Sequence, residues 1–347
     1  MDEQNVNIFS LSKQDTNFMK GIAICAMLCH HLYGCPIEGV EPYTGLCAWI
    51  GNLGKICVAI FLFCSGYGLS AGYENITETK NKLRFIINRF IKFYTNYWFI
   101  LLLFIPFGVF VLGRTFDVAY AGLNMPKRII FEILGINGGC SYIRTWWFNQ
   151  LIIVLYLIFP ILYEVIKRVP IFVFVISVAY LLFGDAYAFR IIEFNIWLFL
   201  FLVGIYWKLF EGKIHQISMV DKKMRILYAL ISVVLLGLTI FLRSKLSDLN
   251  ELRVDAIVTI AVVLCVIFIC RNSSILMRSG ALIGKYSMSM YLIHSFFNVP
   301  MLHECEWLRG GGNFILLTIL CFTLSMAIEW IKNKVGIYTL QNIILLK

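Results

Sequence analysis

Residues 225–242 read RILYALISVVLLGLTIFL, one Arg followed by a run without a charge. A helix rises about 1.5 Å per residue, so a run of this length covers most of the roughly 30 Å of hydrocarbon in a bilayer. A helix that is apolar on every side has no face to turn to water, so its surroundings are lipid or protein. Further stretches of this kind lie near 17–33, 48–71, 92–112, 147–166, 170–184, 190–209, 254–270, 280–299 and 313–332. The stretch at 170–184 is short and is parted from its predecessor only by Lys167, Arg168 and Pro170. The sequence thus predicts an all-α, polytopic membrane bundle of about ten transmembrane helices. They form one domain over residues 1–347, with a short segment 1–16 ahead of the first span.

Composition agrees. Of the 347 residues 60% are hydrophobic and only 14% charged, with a mean hydropathy of +0.81. Soluble chains average about 45 to 50% apolar and about 25% charged, so a pair of soluble domains is excluded. The net charge of +10 would bring nucleic acid to mind in a soluble protein. In a membrane chain it has a plainer source, because Lys and Arg gather in loops held in the cytoplasm and meet anionic headgroups there. With both termini inside, twenty of the 30 Lys and Arg fall on the cytoplasmic side. That bias predicts an N-in, C-in chain with membrane lipid, and no nucleic acid, as partner. Asp2, Glu3 and Asp15 occupy the N-terminal segment in place of a basic n-region, and no cleavage pattern follows the first span, so no removable signal peptide is expected.

Most of the 11 cysteines fall inside apolar segments and behave as small hydrophobes. Cys35, Cys47, Cys140 and Cys305 gather toward one side and could pair, and no spacing resembles a metal site. The longest extracytoplasmic loop, about 113–146, is large enough for a small interfacial substructure.

Ionisable groups inside spans cost about 2.5 to 3.5 kcal/mol on insertion scales, and two stand out in NFMKGIAICAMLCHHLY, residues 17–33. Lys20 and His31 are eleven residues apart, three turns plus about 20° with a rise of roughly 16 Å, and so share one helix face. His30 lies about 100° further round. In YSMSMYLIH, Ser287, Tyr291, His294 and, beyond it, Asn298 form one polar stripe that places His294 at the depth of His31. Two imidazoles from different spans at one depth frame a proton-transfer site; a snorkelling lysine and interhelical hydrogen bonds are the plainer alternative. Before the third span, Arg89 and Lys92 sit one turn apart, spaced to grip a phosphate or to serve as ordinary positive-inside charge. Ser65, Gly66, Gly68 and Gly72 near the end of the second span allow close approach of another helix or of a ligand.

These residues together resemble the acyltransferase-3 family of integral membrane acyltransferases. Lys20 with His31 is similar to its Arg/Lys-x10-His opening, and VAIFLFCSGYGLS to its second span with Ser65, Gly66 and Tyr67 in register. RFIINRFIKFYTNYW, TWWFNQLIIVLYLIFP and GKYSMSMYLIH resemble three further motifs in the family's order. Lys stands for Arg at 20 and 92, and Thr95-Asn96 stands where the family has Pro. The resemblance implies transfer of an acyl group, commonly acetyl, from cytoplasmic acyl-CoA to a hydroxyl of an extracytoplasmic glycan, cell-wall polymer or lipid-linked saccharide, in a bacterial cytoplasmic membrane. It implies acyl-CoA (acetyl-CoA first) as donor substrate, with no tightly bound cofactor and no metal. Lys20, Arg89, Lys92, Ser65 and Gly66 would hold the CoA, and His31 and His294 would be catalytic. Tyr291, Trp146 and Trp147 would position the acceptor, and a homo-oligomer is left open. The competing class is a transporter or flippase of lipid-linked sugar, which would use the same residues without acyl transfer.

Overall fold

The computed structural model describes residues 7–35, 43–120, 124–184, 187–217, 222–246, 248–297 and 311–345. Fifteen helices carry these residues: α1 Lys13–Cys29, α2 Gly45–Leu53, α3 Ile56–Tyr73, α4 Thr79–Phe110, α5 Phe116–Ala119, α6 Met125–Ile133, α7 Trp147–Arg168, α8 Pro170–Phe183, α9 Phe194–Ile217, α10 Lys222–Arg243, α11 Asp248–Phe268, α12 Ser274–Lys285, α13 Ser287–Ile293, α14 Gly311–Lys334 and α15 Ile337–Ile344. No strand is present among the described residues; an isolated bridge joins Ala188 to Ile191. The all-helical expectation holds.

Among the described residues seven helical segments are long and apolar enough to cross a membrane. The other three expected spans are helical but shorter or broken. α8 has 14 residues, α1 gives way to a π-helical turn at His30–Gly34, and the segment at 280–299 breaks at Tyr286 between α12 and α13. Burial sorts the long helices. Only 11% of the most apolar stretch of Lys223–Arg243 is buried, against 67% for Asn250–Asn272. The helix that reads as uniformly apolar therefore lies on the bundle's outside, where lipid would meet it, as α14 does with 22% of its stretch buried, while α11 runs through the interior.

Glycine decides where helices touch most closely. A Cβ on Gly284 would lie 1.8 Å from Asn17 O, and one on Gly21 would lie 2.2 Å from Gly280 O, so α1 and α12 meet backbone to backbone through a small-xxx-small pair. Gly66 and Gly204 do the same between α3 and α9, 2.2 Å from Phe201 O and Phe63 O.

Polar groups gather at the two ends of the bundle. At the N-terminal end Ser12 caps α1 in a capping box with Asp15. Arg271 grips Asp15 with two nitrogens, at 3.0 and 2.8 Å, and donates to Ile8 O and Ser10 O. Tyr67 accepts from the Leu11 amide and donates to Glu211, tying the same leading segment to α3 and α9. At the opposite end Arg243 pairs with Asp255 at 2.6 Å and Glu251 at 2.7 Å, and donates to Asn52 O.

The stretch between α4 and α7 folds as a cap on that opposite end, organised around one carboxylate. Glu132 is 2% exposed. Its Oε2 accepts from the Tyr142 amide (2.7 Å), Asn137 Nδ2 (3.0 Å) and Tyr120 (3.1 Å), and Tyr97 lies 3.2 Å from Oε1. Burial pushes the Glu132 carboxyl up, and the hydrogen bonds from Asn137, Tyr142, Tyr120 and Tyr97 pull back only part of that rise.

Cys35, Cys47 and Cys140 are free thiols. Cys305 and Asn298 lie outside the described residues.

Candidate active site

A cavity of about 360 Å³ runs inside the bundle, and its wall holds Lys20 and Ser65 toward the N-terminal end and His31, Tyr291 and Trp147 toward the other. Lys20 and His31 thus face one space, as their shared helix face requires. His30 joins them on the wall. Straight-helix reckoning had set it aside, but the π-helical turn that begins at His30 changes the register there, a local insertion common at functional sites.

The turn is held in place by glycine. A Cβ on Gly51 would lie 2.5 Å from Gly34 N, and one on Gly34 would lie 2.8 Å from Gly51 O. Only bare backbones fit, and the approach brings Gly51 O to 2.9 Å from His30 Nδ1. A carbonyl can only accept, so the neutral His30 ring carries its proton on Nδ1 and leaves the Nε2 lone pair free.

His31 and His294 come together, with ring centroids 4.9 Å apart. His294 is fully buried and is not on the cavity wall, so it stands behind His31. Its Nδ1 donates to Tyr291 O at 2.6 Å, and its Nε2 accepts from Ser295 at 3.0 Å, which in turn is 2.9 Å from Thr145 Oγ1. Tyr291 is on the wall and donates to Thr145 O at 2.8 Å. The cap therefore fixes both ends of the 291–294 turn. Trp146 completes the clamp: it is 1% exposed and donates Nε1 to Leu292 O at 3.0 Å. It lies off the cavity and anchors α13, whereas Trp147 lies on the wall, 6.0 Å from Trp197.

Toward the N-terminal end, Ser65 reaches the wall but Gly66 does not. Gly66 packs under the α9 backbone, where its smallness serves helix contact. Arg89 lies over the Phe85 ring at 4.9 Å with Nη2 3.5 Å from Gly68 O, and Lys92, one turn on, is exposed. Neither is on the cavity wall, although the neighbouring Phe90 touches Tyr156, which is. Asn96, at the position of the expected proline, accepts from buried Lys332 at 2.6 Å.

Sequence reasoning missed two features. Asn149 is 2% exposed, lies on the cavity wall, and its Nδ2 is a buried donor without a partner. The amide pair in WFNQ at the start of an apolar helix was the available signal. Cys35 is the second. Its Sγ lies 3.4 Å from His31 Nδ1 and 3.6 Å from His30 Nε2, in a group of three ligand-type atoms within 4.8 Å of one another. No metal spacing was read in the sequence, because the pattern His-His-x3-Cys closes only through the π-helical turn.

A neutral imidazole facing the cavity can take a proton from a hydroxyl, and Asn149 adds an unpaired amide donor buried in the same wall. Comparison with known proteins agrees with that chemistry. A family model described as an acyltransferase domain matches residues 14–334, essentially the whole chain. No curated protein and no solved structure matches. With apolar helices throughout, the chain is a multi-pass membrane protein, and it belongs to the acyltransferase-3 family of membrane acyltransferases.

Proposed function

We propose that the protein moves an acyl group, acetyl first, from cytoplasmic acyl-CoA to a hydroxyl of an extracytoplasmic glycan, cell-wall or lipid-linked saccharide acceptor. The chain would cross a bacterial cytoplasmic membrane ten times with both termini inside, as its positive-inside bias supports. The observation that carries this reading is one cavity wall holding both Lys20 and His31, about 16 Å apart along a helix.

CoA phosphates would rest outside the inner mouth on Arg89 and Lys92, and the pantetheine arm would pass Lys20 and Ser65 to bring its thioester to His31. The acceptor would enter past Trp147. Its hydroxyl oxygen attacks the thioester carbon while His31 takes the proton. A turn of the Asn149 side chain into the cavity would bring its unpaired Nδ2 to the oxyanion. The C–S bond then breaks, and the proton on His31 passes to the leaving thiolate, giving CoA thiol and an ester. His294, behind His31, is a positioning residue, and so is Trp146.

The test is purified protein with radiolabelled acetyl-CoA and a cell-envelope glycan extract. Label is expected in the glycan, with His31→Ala slower by at least about 100-fold, the usual worth of a positioned base. Label that stays wholly in CoA although CoA binds would favour the transporter class. Full transfer by folded His31→Ala would refute the assignment of the base.

A further inference from the structure

We propose that His30 Nε2, His31 Nδ1 and Cys35 Sγ form a site for Zn²⁺ or a cation of its class, and that an ion held there silences His31. The silencing half rests on the base role argued above; the site itself does not.

Both sulfur–nitrogen distances match a tetrahedral site before any ion is considered, with the three ligand atoms all within 4.8 Å of one another. Zinc bonds nitrogen at about 2.0 to 2.1 Å and thiolate sulfur at about 2.3 Å, so at a tetrahedral angle the N···S edge is about 3.5 Å. Cys35 Sγ lies 3.6 Å from His30 Nε2 and 3.4 Å from His31 Nδ1. His30 is also oriented as metal-bound histidines are, its far nitrogen donating to a backbone carbonyl, here Gly51 O at 2.9 Å. That bond leaves the Nε2 lone pair on the side of the thiol.

The donor set selects the metal class. Two imidazoles and a thiol, with no carboxylate among them, suit zinc and its borderline neighbours and do not suit magnesium or calcium. Three protein ligands leave a fourth position to water from the cavity that both imidazoles line. The surroundings tolerate the charge. The basic groups nearby, Lys55 and Arg243, are matched by Glu251 and Asp255, and the thiol would bind as thiolate, its proton leaving to solvent.

Occupancy has one chemical consequence. A metal on His31 Nδ1 uses the ring's only free lone pair and fixes its proton on Nε2, so the imidazole can no longer accept a proton. Zinc and the acceptor hydroxyl would thus compete for one nitrogen. The competition acts at the end of the bundle assigned to the extracytoplasmic side.

The experiment uses purified full-length protein stripped with EDTA and titrated with Co²⁺ and Zn²⁺. Expected are one metal per chain, a cobalt–thiolate charge-transfer band, and both weakened by at least about tenfold in affinity in Cys35→Ser. Acyl transfer by wild type should fall at least about tenfold on saturation with Zn²⁺ and return with EDTA. Cys35→Ser should keep basal transfer and escape the inhibition. Absence of the cobalt band in wild type, or equal metal affinity in Cys35→Ser, would overturn the site. Binding without inhibition, or equal inhibition of both proteins, would overturn the silencing. Should the protein transfer no acyl group at all, the band and the stoichiometry still decide the site, so the two readings fail separately.

Discussion

Replacing Glu132 tests whether one buried carboxylate holds the cap that in turn holds the histidine pair. Glu132→Ala strands the Tyr142 amide and the Tyr120 hydroxyl, both now bonded to Oε2, and takes one of the two bonds of Asn137 Nδ2, which keeps Arg128 O. Tyr97 loses least, since its hydroxyl also lies 2.6 Å from Glu132 O. A buried donor left unpaired costs about 1 to 3 kcal/mol, so three N–H and O–H groups cost at least about 3 kcal/mol if the space stays dry. Glu132→Gln behaves differently. Its oxygen can occupy the Oε2 position and keep all three donors, while its amide nitrogen donates to Tyr97, which goes on donating to the main-chain oxygen. The charge assistance is lost, but so is the burial of a charge, and the two are each of the order of 1 to 3 kcal/mol.

The expected result, read by tryptophan fluorescence on heating in detergent, is a midpoint lowered by about 5 °C or more for Glu132→Ala and one near wild type for Glu132→Gln. A second signature is pH dependence. Because burial raises the folded pKa of Glu132 above its unfolded value, the group's contribution to stability is fullest in acid. It is lost as the pH rises through that raised value, and Glu132→Gln should flatten this part of the profile. Acyl transfer should fall with Glu132→Ala even below its midpoint, since Thr145 and Trp146, which hold Tyr291 and Leu292, belong to the same cap. A Glu132→Ala midpoint within about 1 °C of wild type, or a Glu132→Gln protein as unstable as Glu132→Ala, would refute this account of the cap.

Three further outcomes are expected. Gly284→Ala places a Cβ 1.8 Å from Asn17 O and must push α1 from α12, lowering both midpoint and transfer, while Gly237→Ala on lipid-facing α10 meets no atom within 4 Å and should be neutral or slightly stabilising. Burial alone would push the Asp15 carboxyl up, but hydrogen bonds from Arg271 and Ser12 and the Arg271 charge hold it below the usual carboxylate range; its contribution, present above about pH 4, should be lost as pH falls through that lowered value, and a thermal-unfolding pH series of Asp15→Asn should lack this acid-side loss. Lys332→Met removes a fully buried ammonium from Glu329 and Asn96 and should cost about 3 kcal/mol by thermal unfolding, of which the double change Lys332→Met/Glu329→Leu recovers part.

The helices were legible because an apolar run states its own solvent, and among the described residues the ten runs are mainly helical, seven of them in helices long enough to cross a membrane. Long-range pairings were legible only where one helix carries both partners or where depth fixes the comparison. Lys20 and His31 face one cavity for the first reason, and His31 meets His294 for the second. The role of Gly66 was open between a helix and a ligand, and only the position of α9 decides it. Trp146 reads like Trp147 in sequence; one residue of rotation puts the first inside the bundle and the second on the cavity. Glu132 gave no signal at all, because its donors come from positions 97, 120, 137 and 142, and their convergence is a property of the folded cap. The same holds for Cys35, which reaches His31 only after a π-helical turn packed through Gly34 on Gly51.

Proton bookkeeping among the three histidines removes His294 from the proposed proton transfer and leaves a free ring nitrogen on the cavity wall to His30 and His31. His30 spends its Nδ1 proton on Gly51 O, and His294 spends its own on Tyr291 O while its Nε2 accepts from Ser295. Neither carbonyl can act as a donor, so these two rings are fixed in one tautomer. His31 is held by no carbonyl, and no carboxylate pairs with it among the described residues. A base lacking such a partner gains nothing from storing a proton, because the imidazolium would face another imidazole 4.9 Å away and no countercharge. It is suited to passing a proton at once from the attacking hydroxyl to the departing thiolate. A relay of this kind needs both substrates present together on the one cavity wall that carries Lys20 and Trp147, so the proposed transfer is direct, in a ternary complex.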